Sequence, residues 1–205
     1  MILNREEIQS LSIINSLNEE RLGNASYDLT IDKIITMDGR TKTDHYKIKS
    51  QEMVWVICKE RFTMPQNLIG IAHVKTELTR EGILSMNTGI IDPGYSGNIS
   101  TLLINFGKGA KSICSGTVVL RVAFAEINER KRESQITSID NETYFRTIRK
   151  STDNFDSTFL NMSAIDRRLS KALFKWMIAI IAFIASIYGA IELIKLIIQA
   201  IKSFN

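Results

Sequence analysis

The sequence has few of the residues that build disulfide networks or metal clusters. It contains only two cysteines and two histidines among 205 residues. Cys58 and Cys114 each lie inside an apolar run typical of a strand, which argues against a disulfide framework or a multi-cysteine metal site and fits a reducing cytosol. His45 and His73 have no histidine or cysteine at metal-ligand spacing, so we expect ordinary surface or core histidines. The opening residues, MILNREEIQSL, lack the long apolar stretch of a secretory signal.

The charge balance is mildly basic and uneven along the chain. Lys and Arg number 26 against 22 Asp and Glu, which gives a formal charge of +4 and a pI near 9.1. The basic residues concentrate between Arg130 and Lys175. This local patch does not predict a general affinity for nucleic acid, and we expect it to touch anionic lipid headgroups. The length leaves room for one compact domain and an accessory segment.

The first 128 residues have the pattern of a strand-rich domain that begins with a short helix. Asn4 and Glu7 form a capping-box pair, which predicts a helix through about Leu17. Short β-branched runs separated by Asp-Gly, Pro-Gly and Gly-Lys-Gly turns then favour an antiparallel sandwich or barrel. These runs are Tyr27 to Ile31, Met53 to Lys59, Leu68 to Val74, Ile99 to Asn105 and Thr117 to Glu126.

A polar segment separates this domain from an apolar C-terminal helix. Residues 128–153 are rich in charged and hydroxyl side chains, the composition of a solvated connector or one peripheral hairpin. We therefore predict a barrel domain over 1–128, a polar basic connector over 129–162, and a basic juxtamembrane and transmembrane helix over 163–205.

The last segment is long and apolar enough to cross a bilayer. Trp176 to Ile191 contains no ionisable residue, and the stretch from Trp176 to Ile198 would be about 34 Å long as a helix. A buried core helix is the alternative, but a small barrel has no surface that buries a helix on all sides. Because the basic cluster precedes the span, the positive-inside rule predicts a single-pass protein of the inner or plasma membrane, with its N-terminal domain cytoplasmic and its C-terminus on the far side.

A polar stripe runs along the end of this helix. Its members recur at spacings of three, four and three, which places them on one face: Glu192, Lys195, Gln199 and Lys202. In one interpretation the lysines reach the far headgroups while Glu192 pairs with Lys195. In the other, several copies of the helix pack with the stripe inward and line a pore.

The segment with the most specific chemistry is Gly89 to Gly97, GIIDPGYSG. Asp92 lies beside a Pro-Gly turn that fixes its carboxylate, which can then orient a water or a sugar hydroxyl, and Tyr95 offers a ring for stacking. Such turns are also common in purely structural loops, and the pattern alone favours that interpretation.

Four segments, taken in order, resemble the trimeric dUTPase and dCTP deaminase superfamily. Ala25 to Leu29 resembles the first motif of this superfamily, Val74 to Ile83 resembles the second, and Gly89 to Gly97 resembles the third. The strands that lead through the fourth motif are resembled by Asn105 to Gly107 and Gly116 to Val122. The opening MILNREEI also resembles the short helix that begins dCTP deaminases, so the resemblance covers about residues 1–128.

This resemblance implies a distorted antiparallel β-barrel that assembles as a homotrimer, with deoxynucleotide sites where subunits meet. It assigns the water-activating role of a dUTPase to Asp92, and the metal-organising role to Asp28 with Mg²⁺ as cofactor, if the protein is a hydrolase. No cofactor is predicted otherwise. The implied nucleotide-binding residues are Asp28, Lys75, Thr76, Gly89, Ile90, Asp92, Tyr95 and Arg121.

The chain departs from the superfamily where chemistry would occur. Leu102 stands where deaminases carry a proton-shuttling glutamate, so deamination is not expected. The second motif has Lys75, Thr76 and Glu77 in place of an arginine and serines, and Arg121 replaces a glutamine of the fourth. The glycine-rich tail that closes over the phosphates in dUTPases has no counterpart in this sequence.

Three functions remain open from the sequence. The favoured one is a nucleotide-binding or sensing module that binds a nucleotide or nucleotide-derived ligand and gates a bundle of membrane helices, by analogy an effector of antiviral signalling. The second is a membrane-tethered dUTP pyrophosphatase. The third is an inert trimeric scaffold that docks a regulatory partner protein.

Overall fold

The computed structural model describes residues 1–87, 89–127, 138–160 and 162–203, the last range without the side chains of 162–164 and 200–203. The chain divides into two compact units. We call Met1–Leu160 the head and Asn161–Asn205 the C-terminal unit.

The head consists of short strands with a few short helices between them. Its helices are α1 (Arg5–Ser10), α2 (Thr76–Arg80) and α3 (Asn141–Ser151), with single 3₁₀ turns at Glu19–Arg21 and Thr152–Asn154. Its strands are β1 (Ile14–Asn15), β2 (Tyr27–Thr36), β3 (Thr41–Lys42), β4 (His45–Ile48), β5 (Met53–Thr63), β6 (Leu68–Val74), β7 (Ile83–Ser85), β8 (Ile90–Ile91), β9 (Ser96–Asn105), β10 (Lys111–Cys114) and β11 (Val118–Glu126).

Most of these strands form one curled antiparallel sheet. Among the described residues its order is β7-β9-β5-β2-β11-β6-β8, with β1 added to β5 and β3 to β2, while β4 and β10 pair separately. The sheet curls around an apolar core in which Tyr27, Leu29, Phe62 and Phe124 are fully buried. The prediction of a mainly β, distorted antiparallel barrel with a short N-terminal helix is confirmed, and the five predicted strand segments fall on β2, β5, β6, β9 and β11.

The N-terminal helix has the predicted cap and is shorter than predicted. The Asn4 side chain accepts from the Glu7 amide and the Glu7 carboxylate accepts from the Asn4 amide. The helix ends at Ser10 instead of continuing to about Leu17, because Ser12 takes a positive φ of 49° and β1 then pairs with β5. Pairing with β5 buries Ile14, which also fits the helical pattern, whereas Leu11 stays exposed.

Residues 138–160, which we call the strap, form the last part of the head and pack on its sheet. The Asp140 side chain caps α3 by accepting from the amides of Glu142 and Thr143. One face of α3 then buries Ile148 against Ile35 and Ile57 of the sheet. The structure differs here from a purely solvated connector, because this short amphipathic helix supplies an apolar face that the surrounding polar composition conceals. Residues 128–137 lie outside the described residues, and the domain boundary at 128 stays a prediction.

The C-terminal unit is a single helix, α4 (Met162–Ser203). Its segment Ile165–Gln199 contains an 18-residue stretch with a mean hydropathy of 2.3. Among the described residues, α4 is the one helix that is long and apolar enough to cross a membrane. At about 1.5 Å per residue α4 is roughly 60 Å long, twice the thickness of a hydrocarbon core. The chain therefore carries a C-terminal helix able to span a bilayer, and its orientation stays a prediction.

Candidate functional site

The GIIDPGYSG segment forms a tight turn between β8 and β9, which we call the Asp92 turn. In the described residues β8 pairs with β6, whereas β9 pairs with β5 and β7. Gly94 adopts a φ of 73°, a left-handed conformation that favours glycine, and the Tyr95 amide donates to the Asp92 carbonyl at 3.2 Å. The Tyr95 hydroxyl donates to the Asn98 carbonyl, and a Cβ at position 97 would lie 2.7 Å from that hydroxyl oxygen. Gly97 therefore allows the tyrosine ring to lie close to the backbone, which fixes the ring beside Asp92.

The Asp92 turn forms one side of a cavity of about 280 Å³. Gly89, Ile90, Asp92 and Tyr95 all line it. Pockets for drug-sized ligands usually measure about 300–1,000 Å³, so the cavity lies near the lower end of that range and suits a group the size of a nucleoside.

The remaining described lining of the cavity comes from the sheet and from the strap. Ser100 of β9 faces Tyr144 of α3, and their hydroxyl oxygens lie 2.8 Å apart. Ile139 of the strap and Leu120 of β11 add apolar surface. An apolar enclosure with a few hydroxyl, amide and carboxylate groups is the usual character of a small-molecule site.

The two tyrosines of the cavity act as neutral hydrogen-bonding groups. Burial raises the pKa of Tyr95 to about 12, and burial likewise raises the pKa of Tyr144. Neither phenol ionises near neutral pH, so neither serves as a general base. Among the described lining residues Asp92 is the one carboxylate, and its side chain is exposed to solvent. Asp92 is therefore the candidate for orienting a water.

A second group of predicted residues forms an ion-pair cluster, which we call the Asp28 cluster. Asp28 accepts a hydrogen bond from Lys75 Nζ at 2.8 Å and hydrogen bonds from Arg121 Nε at 2.7 Å and Nη2 at 3.1 Å. The side chains of Lys75 and Asp28 are only 14% and 18% exposed, whereas that of Arg121 is 51% exposed. Strand register explains the pairing, because Arg121 of β11 lies directly opposite Asp28 of β2.

The charges within this cluster are balanced internally. Burial alone would raise the pKa of Asp28, but hydrogen bonds and attraction from Arg121 and Lys75 outweigh it and lower that pKa. The hydrogen bonds that Arg121 donates to Asp28 in turn raise the pKa of Arg121. Glu77 adds a second carboxylate oxygen 3.9 Å from Lys75 Nζ. Thr76 is exposed as the first residue of α2.

Asp28 does not fit the role of a magnesium ligand in this arrangement. Both of its carboxylate oxygens accept hydrogen bonds from cationic groups, which repel a divalent cation. In the described residues no group of three or more His, Cys, Asp or Glu side chains is arranged to hold a metal ion. We therefore derive no catalytic step through Mg²⁺.

The structure thus separates the predicted nucleotide-binding residues within one chain. Gly89, Ile90, Asp92 and Tyr95 meet at the cavity, while Asp28, Lys75 and Arg121 form the Asp28 cluster and are not among the described residues that line it. Sequence reasoning missed Asn87, Ser100, Ile139 and Tyr144. For the strap residues a signal was present, because Asp140 is a helix N-cap and Tyr144 and Ile148 have i, i+4 spacing.

The polar stripe of α4 contains an intrahelical ion pair. Lys195 Nζ donates to Glu192 Oε1 at 2.8 Å, and both side chains are more than half exposed in the single chain. This agrees with the pairing expected in the anchoring interpretation. The side chain of Lys202 lies outside the described residues, and Gln199 is exposed on the same helix.

Comparison with known proteins identifies the head. Residues 35–127 match the family model described as dCTP deaminase-like. The dCTP deaminase of Pyrococcus horikoshii is 26% identical over 136 residues, which cover 64% of this chain and 86% of that protein. Residues 35–127 are therefore dCTP deaminase-like, and the head is similar to proteins of the dUTPase and dCTP deaminase superfamily.

Two further superfamily members show where the likeness ends. A dUMP-forming dCTP deaminase of Corynebacterium efficiens is 35% identical over 81 residues, 39% of this chain and 42% of that protein. The crystal structure of a dCTP deaminase from Agrobacterium tumefaciens has a TM-score of 0.54 at 15% identity, and the match covers 60% of this chain and 48% of that one. This second likeness shows the fold alone. The strap and α4 both lie beyond the residues of the family match.

Leu102, which stands where deaminases carry a glutamate, is buried, and the expected loss of deaminase chemistry stays a prediction. Leu102 is 3% exposed and packs with Met53 and Ile104 in a small apolar cluster. It is not among the described residues that line the cavity, so no proton-shuttling group enters the site from this position.

Proposed function

We propose that the head binds a deoxynucleotide or nucleotide-derived signal and that the protein is a membrane-anchored nucleotide sensor. The observation that carries the proposal is the cavity of about 280 Å³ beside Asp92 and Tyr95, because its size and mixed lining suit a nucleoside. The similarity of the head to dCTP deaminases around the Asp92 turn supports the same ligand class.

In this proposal the cations of the Asp28 cluster, Lys75 and Arg121, bind the phosphates of the ligand. A phosphate group that reaches Lys75 and Arg121 competes with Asp28 for their N–H groups, and both donors suit phosphate oxygens. Binding is then an exchange of one anion for another, which holds phosphate less tightly than free cations would. Such a clamp favours reversible sensing over the capture of a triphosphate for hydrolysis.

Oligomerisation joins the two parts of the site in this proposal. The cavity residues and the Asp28 cluster do not converge within one chain. A homo-oligomer, with a trimer favoured, therefore brings the Asp92 turn of one subunit to the cations of another. Three heads also bring three α4 helices together in the bilayer, with the heads cytoplasmic. A ligand that prefers one head conformation shifts the helix bundle by its difference in affinity for the two states.

A membrane-tethered dUTP pyrophosphatase is the second candidate, and the exposed Asp92 carboxylate at the cavity favours it. In that role Asp92 orients a water for attack on the α-phosphorus, and Tyr95 contacts the deoxyribose. The Asp92→Asn substitution then abolishes turnover while leaving nucleotide binding in place.

The test uses the full-length protein in detergent. Its mass is measured, and its thermal unfolding is followed with dUMP, dUTP, dCTP and cyclic di- and trinucleotides, with each mixture checked for hydrolysis. A nucleotide at 100 times its Kd adds about 2.7 kcal/mol to the free energy of unfolding. An oligomer stabilised by an intact nucleotide supports the sensor, conversion of dUTP to dUMP supports the enzyme, and stabilisation by none of them leaves a scaffold for a regulatory partner protein.

A further inference from the structure

The strap is attached to the head at the cavity by its first residues. Ser138 forms a parallel bridge with Ser96, and the Ile139 amide donates to the Ser96 carbonyl at 3.1 Å. Arg61, which follows an irregularity in the pairing of β5 with β9, donates to the Ile139 carbonyl at 3.3 and 3.4 Å. The backbone of the strap is therefore held to the first residue of β9, directly after the Asp92 turn.

The middle of the strap combines a cavity contact with an apolar anchor outside the cavity. Tyr144 lines the cavity and pairs with Ser100, whereas Ile148, one turn further along α3, packs against Ile35 and Ile57. Ile148 is 8% exposed and is not among the described residues lining the cavity. One rigid turn of helix thus connects the cavity with a separate packing site.

The end of the strap is attached to the opposite end of the sheet. The Met53 amide donates to the Ser157 carbonyl at 3.1 Å, and the Phe159 amide donates to the Gln51 carbonyl at 2.8 Å. The ring of Phe159 lies edge-on to Phe106 at 5.3 Å. Because α4 begins at Met162, three residues after Phe159, the attachment continues almost to the start of the apolar helix.

We infer that the docked strap is part of the nucleotide site and that Ile139 and Tyr144 contact the bound nucleoside there. Nucleoside binding and strap docking are then thermodynamically linked, and the bound nucleoside stabilises the docked strap. The inference rests on the proposed function and adds to it the element that reports occupancy towards the membrane helix.

The direction of the linkage follows from the geometry. The cavity is open with the strap docked, so a ligand enters without displacing Tyr144 and gains contacts with it. An undocked strap removes those contacts and weakens binding. When only a fraction of the molecules is docked, the apparent Kd rises by the inverse of that fraction, and the ligand raises the docked fraction by the same coupling.

The experiment measures hydrogen exchange of the strap amides and nucleotide affinity on the full-length protein in detergent, with dUMP, dUTP and dCTP. Ile148→Ala loosens the strap outside the cavity, Tyr144→Phe removes one hydroxyl but keeps the ring, and Thr147→Ala on the exposed face of α3 is the control. We expect nucleotide to slow exchange in α3, Ile148→Ala to raise the apparent Kd at least about threefold, Tyr144→Phe to speed strap exchange about fivefold, and the control to change neither.

The outcomes separate this inference from the proposed function. If nucleotide slows hydrogen exchange only in the Asp92 turn, and Ile148→Ala has the same Kd as the unmodified protein, the linkage is overturned and the nucleotide site stays in place. Absence of binding by every nucleotide overturns both. If Ile148→Ala does not fold, exchange in the unmodified protein and in Tyr144→Phe decides the question alone.

Discussion

Replacing Asp28 with asparagine should lower stability and raise affinity for phosphate at the same time. The carboxylate accepts charge-assisted hydrogen bonds from Lys75 and Arg121, and such bonds contribute about 1.5–3 kcal/mol each. The half-exposed Arg121 turns to water at little cost, whereas Lys75, only 14% exposed, keeps a charge with a weaker partner. We expect the free energy of unfolding to fall by about 2–4 kcal/mol.

The same substitution removes the anion that competes with phosphate. Pyrophosphate binding should strengthen at least about fivefold, from about 1 kcal/mol of charge–charge energy, and the gain should shrink in high salt. Chemical denaturation and titration calorimetry on the full-length protein measure the two effects. Asp44→Asn, at an exposed position between β3 and β4, removes the same charge and should change neither quantity appreciably.

Two results would refute this reasoning. Weaker dUTP binding in Asp28→Asn that appears only with Mg²⁺ present would make Asp28 an organiser of metal. Unchanged stability would mean that the Asp28 cluster contributes nothing to folding.

The pH dependence of unfolding provides a second test of the Asp28 cluster. Because the folded pKa of Asp28 lies below its ordinary 3.8, its contribution is complete above about pH 5 and is lost as the pH falls through the folded pKa. The stability difference between Asp28→Asn and the unmodified protein should therefore shrink in acid.

Three further outcomes are expected. Asn105→Ala should cost about 2–4 kcal/mol in thermal unfolding, because the buried amide bonds the carbonyls of Ile48 and Gly109, and a cost below about 1 kcal/mol would contradict a structural role. A chain of residues 1–160 should be monodisperse without detergent, whereas one of residues 1–128 should aggregate because loss of α3 uncovers apolar surface; equal solubility would place the boundary at 128. Lys195→Leu should change ion conductance in planar bilayers if α4 lines a pore, and unchanged conductance would favour a simple anchor.

Local patterns predicted the long strands, the cap of α1 and the apolar helix, but they missed α3 and the short strands and did not show how side chains meet. The cap at Asn4, the five strand segments and the apolar helix each depend on neighbouring residues, and each was found in the structure. The end of α1 was mispredicted because Ile14 satisfies both a helical pattern and a strand that pairs with β5. Asn105 lies in a predicted motif segment, yet its three side-chain hydrogen bonds are all to backbone groups of nearby loops and strands.

The fold class, the Asp92 turn and the apolar helix follow from local sequence, because turn residues and apolar periodicity act over short distances along the chain. Only the tertiary structure decided that Asp28 neutralises Lys75 and Arg121, since that pairing depends on the register of β11 against β2. It also decided that Tyr144 completes the cavity, because α3 reaches Ser100 only when its apolar face packs on β2 and β5. Contacts between residues far apart in the chain follow from the packing of the sheet, which no local pattern specifies.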